Sequence, residues 1–293
     1  MNQDMSRRSA LRKVTGTTVA LAATSLATRL KAADEAASPT LKGHINHSVC
    51  RWCYGKISLE DLCNASKAMG IQSIDLMEVQ DFPTLKKHGL ICAMVSGVPG
   101  GIGSGLNRVE NHDKIVEFFE KTAPIVAEYG YPNIICFSGN RKGMSDEQGL
   151  ENCAIGLKRV APIAEKHKVT VVMELLNSKR DHHDYMCDHT AWGVRVIREV
   201  NSPKVKLLYD IYHMQIMEGD LSQTIIANSQ WFGHFHTGGV PGRHELDDSQ
   251  EVNWAGVMRA IASTDFQGFV GHEFIPTRDP MTSLRQAVAL CNV

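Results

Sequence analysis

From residue 41 onward, short apolar runs rich in Val, Ile and Phe alternate with longer stretches whose apolar positions recur every three or four residues. The short runs predict strands at 43–49, 71–77, 90–96, 132–138, 169–174, 205–210, 231–236 and 268–273. The longer stretches predict helices at 59–69, 109–129, 150–167, 191–200, 221–229, 254–264 and 280–290, with a short one at 82–88. Strict alternation of this kind means parallel strands with helices packed outside them. Eight such units either close into a barrel or lie open as a doubly wound sheet. A dinucleotide-binding sheet requires G-x-G-x-x-G after its first strand, and none follows residue 49. The glycine-rich stretch 97–105 comes after the third strand and does not lead directly into a helix, so it reads as a flexible loop over a barrel mouth. No interior linker or low-complexity segment divides the chain. The expected architecture is an α/β fold, a single (β/α)8 TIM barrel over 40–293.

Ahead of it, residues 6–13 read Ser-Arg-Arg-Ser-Ala-Leu-Arg-Lys and an uncharged stretch 14–28 follows. A twin-arginine region before a modest apolar run is an export signal. The apolar run is shorter than the ~20 residues a bilayer requires. The expectation is a twin-arginine-type signal peptide over 1–35, cut between 27 and 37, and a periplasmic protein with no stable membrane insertion after processing. Ala10 stands where an aromatic residue is usual in such signals, and no clean small-x-small site is present. The alternative is a basic amphipathic helix belonging to the fold.

The remaining length, about 255 residues, is near the usual size of an eight-unit barrel. Hydrophobic residues make up 43% of the chain, enough for a large core. Its 31 basic and 32 acidic residues nearly cancel, which gives no electrostatic reason to expect nucleic acid or an anionic membrane as partner. A small substrate, uncharged or singly charged, fits better. Of eight cysteines only Cys50 and Cys53 form C-x-x-C, and the second pair that a zinc knuckle needs is missing.

The chemistry is written at the ends of the last four strands. Glu174, Asp210, His236 and Glu273 terminate successive, mostly apolar strands, 36, 26 and 37 positions apart. Each interval is one βα unit, so all four side chains arrive at the C-terminal rim, where barrel enzymes keep their active sites. Three carboxylates converging there would repel and resist ionisation, and a divalent cation removes the conflict. Oxygen ligands with one imidazole suit Mn2+, Mg2+ or Co2+. His213 follows Asp210 by one short step and either donates to a substrate oxygen, supports a metal-holding residue from behind, or caps a helix. Arg243, on the loop after the seventh strand, either clamps a substrate hydroxyl or carboxylate or is a surface cation. His44 and His47 are weaker candidates to line the same cavity, and Trp52 and Tyr54 form either its apolar wall or ordinary packing.

The stretches Asp210-Ile-Tyr-His-Met-Gln-Ile-Met-Glu-Gly-Asp220, Pro241-Gly-Arg-His-Glu245 and Met173-Glu-Leu-Leu-Asn177 resemble the hydroxypyruvate isomerase family, within the xylose isomerase-like barrels that also include ketose 3-epimerases and inosose dehydratases. The likeness runs from about residue 130 to 275. It implies that Glu174, Asp210, His236 and Glu273 hold the metal and that Glu174 and Glu273 transfer the proton. His213 and Arg243 match substrate contacts, and a homo-oligomer is implied as well. The implied reaction isomerises a small ketose, or hydroxypyruvate and tartronate semialdehyde, through an enediolate. Hydroxypyruvate isomerases often carry Gln where this chain has His236, whereas the epimerases and dehydratases carry His. That departure keeps a ketose 3-epimerase or a dehydrating lyase open. A non-catalytic exported sugar-binding barrel is the competing reading from another class.

Overall fold

The computed structural model describes residues 41–293, so the expected export signal lies outside the described residues. Seven parallel strands form one sheet in the order β2-β1-β7-β6-β5-β4-β3. They are β1 (Asn46–Cys50), β2 (Ser73–Asp75), β3 (Asn133–Cys136), β4 (Thr170–Leu175), β5 (Val205–Asp210), β6 (Phe232–Thr237) and β7 (Phe269–His272). Consecutive strands are joined through helices α1 (Leu59–Ala68), α2 (Phe82–Lys87), α3 (His112–Glu128), α4 (Asp146–His167), α5 (Thr190–Val200), α6 (Ile211–Met217), α7 (Leu221–Asn228) and α8 (Trp254–Ala262), and α9 (Pro280–Cys291) follows the last strand. No helix among the described residues is long and apolar enough to cross a membrane.

One expected strand, 90–96, is not a regular strand, yet it closes the sheet. It makes isolated parallel bridges from Ile91 to Ser73 and from Val95 to Met77 on one side and to Ile134 on the other. Side chains interrupt the ladder at Ala93: its N–H donates to Ser73 Oγ at 2.7 Å, and its carbonyl accepts from Asn133 Nδ2 at 2.8 Å. Two buried polar side chains thus take the hydrogen bonds that neighbouring backbone would otherwise supply. The short helix expected at 82–88 is present as α2, and α4 begins earlier than its apolar pattern because Ser145 caps it, accepting from Gln148 N. Helix α6 starts directly off β5, where Asp210 caps it, and leaves no loop for the pattern to mark.

Alternation along the strands sorts the core into two parts. Ile134, Cys136, Val171, Met173, Leu207 and Tyr209 belong to the large cluster shared with the helices. The residues between them, Ile135, Val172 and Leu208, form a separate small cluster with Met94 inside the barrel. On the opposite side the interior is polar: Ser48, Asp75, His234 and His236 are all fully buried. His47 is not in the cavity. It is buried, stacks on His272 at 5.3 Å between ring centroids, and burial lowers its pKa to about 4. His44 is exposed, and Tyr54 packs edge-on against Phe274 in the core.

Replacing Asn133 with Ala would strand the buried Ala93 carbonyl. Urea unfolding of Asn133→Ala should show a loss of about 1–3 kcal/mol; an unchanged midpoint would mean the closure does not depend on this bond.

Candidate active site

The strand ends do converge. One donor atom from each of Glu174, Asp210, His236 and Glu273 lies within 4.8 Å of the others, and all four residues are buried. Asp210 and His236 are direct register partners on β5 and β6, and Glu273 N–H donates to Thr237 O, which fixes the last carboxylate beside them. His236 Nδ1 sits 2.7 Å from Glu273 Oε2 and 3.6 Å from Glu174 Oε1. Despite that proximity, the buried Nδ1 makes no hydrogen bond of acceptable geometry.

Burial pushes the Glu174 carboxyl up to about 7, with the Glu273 charge adding to it, although the nearby His236 imidazole pulls the other way. Burial likewise raises Asp210 in spite of the Arg243 charge. Glu273 goes in the opposite direction: burial is outweighed by Arg243, by His236 and by the Trp52 indole, and its carboxyl is held well below the usual range. Three acids so close cannot all ionise without cations to match them.

Arg243 supplies one such charge. Its Nη2 donates to Asp210 Oδ2 at 2.7 Å and to Glu273 Oε2, while its Nε donates to the Glu273 carbonyl at 3.0 Å. The guanidinium lies 4.8 Å from the Tyr212 ring centre and 5.7 Å from that of Trp52. Its loop is anchored two residues on, where Glu245 accepts from Thr277 N, Thr277 Oγ1 and Ser283 Oγ, each at 2.9 Å. Arg243 is therefore a buried counter-charge and not a free surface cation.

His213 is fully buried against this guanidinium. Asn177 Oδ1 accepts from the backbone N–H groups of Arg180 and Asp181, so its Nδ2 is the atom facing His213 Nδ1 at 2.6 Å. Burial keeps the ring neutral, its pKa well below the ordinary value. Nε2 faces Arg243 Nη1, itself only a donor, at 2.6 Å, with Asp210 Oδ2 at 3.6 Å from the same nitrogen. Both ring nitrogens thus meet donors, and a neutral imidazole accepts from only one of them.

The site roles of Asp75, Asn177 and Asp181 escaped the sequence reading. Asp75 Oδ2 bonds His234 Nε2 at 2.7 Å and stands 3.6 Å from His236 Nε2, with Cys50 Sγ at 3.5 Å from the same nitrogen. Asp75 is the last residue of β2, but the apolar run continues past it to Met77 and hides the signal. Gly271 has to be a glycine here, because a Cβ would lie 2.5 Å from Asp75 Oδ2 and 2.8 Å from the His236 ring. Asn177 and Asp181 support His213 from behind, with Asp181 Oδ2 accepting from Asn177 Nδ2 at 2.7 Å and from Tyr212 at 2.8 Å. Trp52 lines the cavity and donates to Glu273 Oε1 at 2.6 Å. All eight cysteines are free thiols, and the C-x-x-C pair forms no disulfide. The 97–105 loop reaches the mouth through Ile102 and is tied to the end of β3, Leu106 N–H donating to Phe137 O.

The sequence model of the xylose isomerase-like TIM barrel family matches residues 83–292. The chain belongs to that family. Within it, hydroxypyruvate isomerase of Escherichia coli is 30% identical over 160 residues, 53% of this chain and 60% of that protein. The 2-oxo-tetronate isomerase of Cupriavidus necator is 32% identical over 127 residues, 43% of this chain and 46% of that protein. The chain spans about half the length of the curated relatives it matches. Among solved structures, the family 2 AP endonuclease of Brucella melitensis superposes with a TM-score of 0.72 at 22% identity, over 82% of this chain and 97% of that one. That likeness carries the barrel fold. The match to the barrel family covers every strand from β3 to β7 and all four clustered side chains.

The Glu245 anchor gives a pH signature. Burial would raise its carboxyl, but the bonds from Thr277 and Ser283 hold it at about 2. A depressed carboxyl stabilises the fold fully above its ordinary value of 4.5, and that contribution disappears as pH falls toward 2. Thermal melts at stepped pH should therefore show a shallower acid loss for Glu245→Gln than for the parent. Parallel curves would show that the anchor does not contribute to acid stability.

Proposed function

We propose that this chain is a divalent-metal-dependent isomerase of α-hydroxycarbonyl compounds, moving a proton on and off the carbon beside a carbonyl. The observation that carries this reading is the tight cluster of Glu174, Asp210, His236 and Glu273 at the C-terminal rim. The names of the relatives, hydroxypyruvate isomerase and 2-oxo-tetronate isomerase, support the reaction class.

The donor set fits a hard divalent ion. Glu174, Asp210 and Glu273 offer carboxylate oxygens, and the unsatisfied Nδ1 of His236 offers an imidazole lone pair toward the same point. Mn2+, Mg2+ and Co2+ suit such ligands. When bound, the ion supplies positive charge that polarises the carbonyl and acidifies the neighbouring C–H. Glu174 and Glu273 flank that point from opposite ends of the row β4-β5-β6-β7, so one removes the proton and the other returns it. Arg243 and His213 line the cavity beside the cluster, where a substrate oxygen meets them. Asn177 holds the His213 ring in place.

His236 in place of the glutamine frequent in hydroxypyruvate isomerases also favours a neighbouring outcome of the same chemistry: 3-epimerisation of a ketose, or loss of water by a lyase. Product mass separates the lyase, which removes one water, from isomerase and epimerase, which leave mass unchanged. The twin-arginine stretch supports a periplasmic place of work, and N-terminal sequencing of the mature protein in that fraction tests it.

Solvent deuterium should enter the substrate in D2O when the metal-loaded protein meets it. Glu174→Gln and Glu273→Gln should each lower turnover by about 10²–10⁴-fold while keeping the parent's circular dichroism. Near-parent turnover in either variant would remove that residue from the proton path. Asp75→Asn, which loosens the support of His236 Nε2, should weaken metal binding about 10–100-fold in a calorimetric titration. Unchanged affinity would mean that Cys50 alone orients the ring.

A further inference from the structure

The division of the barrel interior into a polar and an apolar half continues upward into the cavity above it. On one side stand Glu174, Glu273, Arg243 and His213. On the other the wall consists of Leu76, Ile102, Ile135, Phe137 and Leu176. Leu76 and Phe137 pack on the apolar interior cluster of Met94, Ile135, Val172 and Leu208, so the wall is the top of that half and not an isolated patch.

Leu76 shows that this wall is built deliberately. It lies one residue beyond β2 in the left-handed region, at φ 61°, a conformation uncommon for a leucine. Its N–H is pinned there by Met94 O at 2.7 Å. Backbone held in such a region at a cavity points to a role for the side chain it positions. Trp52, 49% exposed, and Ile275, 41% exposed, extend the apolar surface to the mouth.

Size and charge narrow the occupant further. The cavity encloses about 430 Å3. At roughly 30 Å3 per water it has room for about fourteen waters, more than a three-carbon keto acid fills. Arg243 is the one guanidinium or ammonium among the described lining residues, and its Nη2 and Nε are taken by Asp210 and Glu273, which leaves Nη1 toward His213; His182 adds an imidazole whose pKa burial lowers. Lys179, the next cation along the β4 rim, spends its ammonium on the carbonyls of Ile216 and Met217. Nothing on the wall opposite the carboxylates pairs with an anionic group.

We infer that the substrate is an uncharged, amphipathic sugar derivative of at least six-carbon size. Its reacting oxygens face the carboxylate cluster, and an apolar substituent rests on Leu76, Ile102, Ile135, Phe137 and Leu176. This rests on the reaction class proposed above and selects within it against small keto acids.

The test is calorimetric binding to the full chain loaded with Mn2+, using three probes: hydroxypyruvate, D-fructose and 6-O-benzyl-D-fructose. Deuterium uptake from D2O is followed in parallel. The benzyl ether should bind about tenfold or more tightly than fructose, with hydroxypyruvate weakest. Ile102→Ser, on the mouth loop, should shrink the ratio between the two sugars severalfold. Equal binding of the two sugars, tightest binding of hydroxypyruvate, or binding of none would overturn the inference. Deuterium uptake reports on the reaction separately. Uptake without a benzyl preference keeps the proton-transfer reading and rejects the amphipathic substrate. A benzyl preference without uptake from either sugar upholds the binding inference and counts against the reaction.

Discussion

Three carboxylates share one buried point in this molecule, and most of the site exists to make that tolerable. Left alone in a low-dielectric interior, such acids take up protons instead of ionising. Glu174, pushed up to about 7, is where the strain shows most plainly. Arg243 offsets part of the charge by bridging Asp210 and Glu273 with a single terminal nitrogen. The loop that carries Arg243 is in turn clamped by Glu245, a carboxylate that accepts from hydroxyls and backbone N–H groups of Thr277, Arg278 and Ser283, with the Arg278 guanidinium 3.6 Å away. Charge at the centre thus dictates backbone geometry several residues away.

The polar half of the barrel interior follows from the same constraint. His236 can hold its ring edge toward the carboxylates only if its far nitrogen is also engaged, and Asp75 with Cys50 stands there. Asp75 then needs its own partner, which is His234, one turn of the strand pleat below His236. The room for this pair comes from Gly271, where any side chain would collide with it. Apolar packing inside the barrel is consequently confined to the β3–β5 side, and the large core between sheet and helices carries the stability that the polar half does not.

How far this could be read from the chain depends on the length of the signal. The eight βα periods and the four strand ends were legible because each rests on a run of several residues, or on four intervals that agree. The closure at 90–96 was visible as a strand-like run, but its irregularity was not. Ser73 and Asn133, the side chains that replace the ladder bonds, are 20 and 40 positions from Ala93 in sequence. Asp75 carried the right strand-end signal and was masked by apolar residues after it. Asn177 stood inside a recognised motif, yet its duty to His213 depends on two backbone N–H groups that only the fold brings to it. His44 and His47 went the other way: residue type alone pointed to a cavity, but His44 falls in an exposed bend before β1 and strand alternation places His47 behind the sheet.

A remaining question of geometry is whether Arg243 and a divalent ion exclude each other, since both address Asp210 and Glu273. They need not. Each carboxylate group offers about four lone-pair directions, and Arg243 uses one on Asp210 Oδ2 and one on Glu273 Oε2. The Nδ1 of His236 approaches the cluster from β6, while the guanidinium is held from the loop side by its stacking on Tyr212 and by Nε on the Glu273 carbonyl. With three acids in the cluster, one guanidinium leaves negative charge over, and a divalent ion would compensate it without displacing Arg243. The guanidinium would then keep its Nη1 edge toward His213, so charge balance at the cluster and the placement of His213 depend on a single side chain.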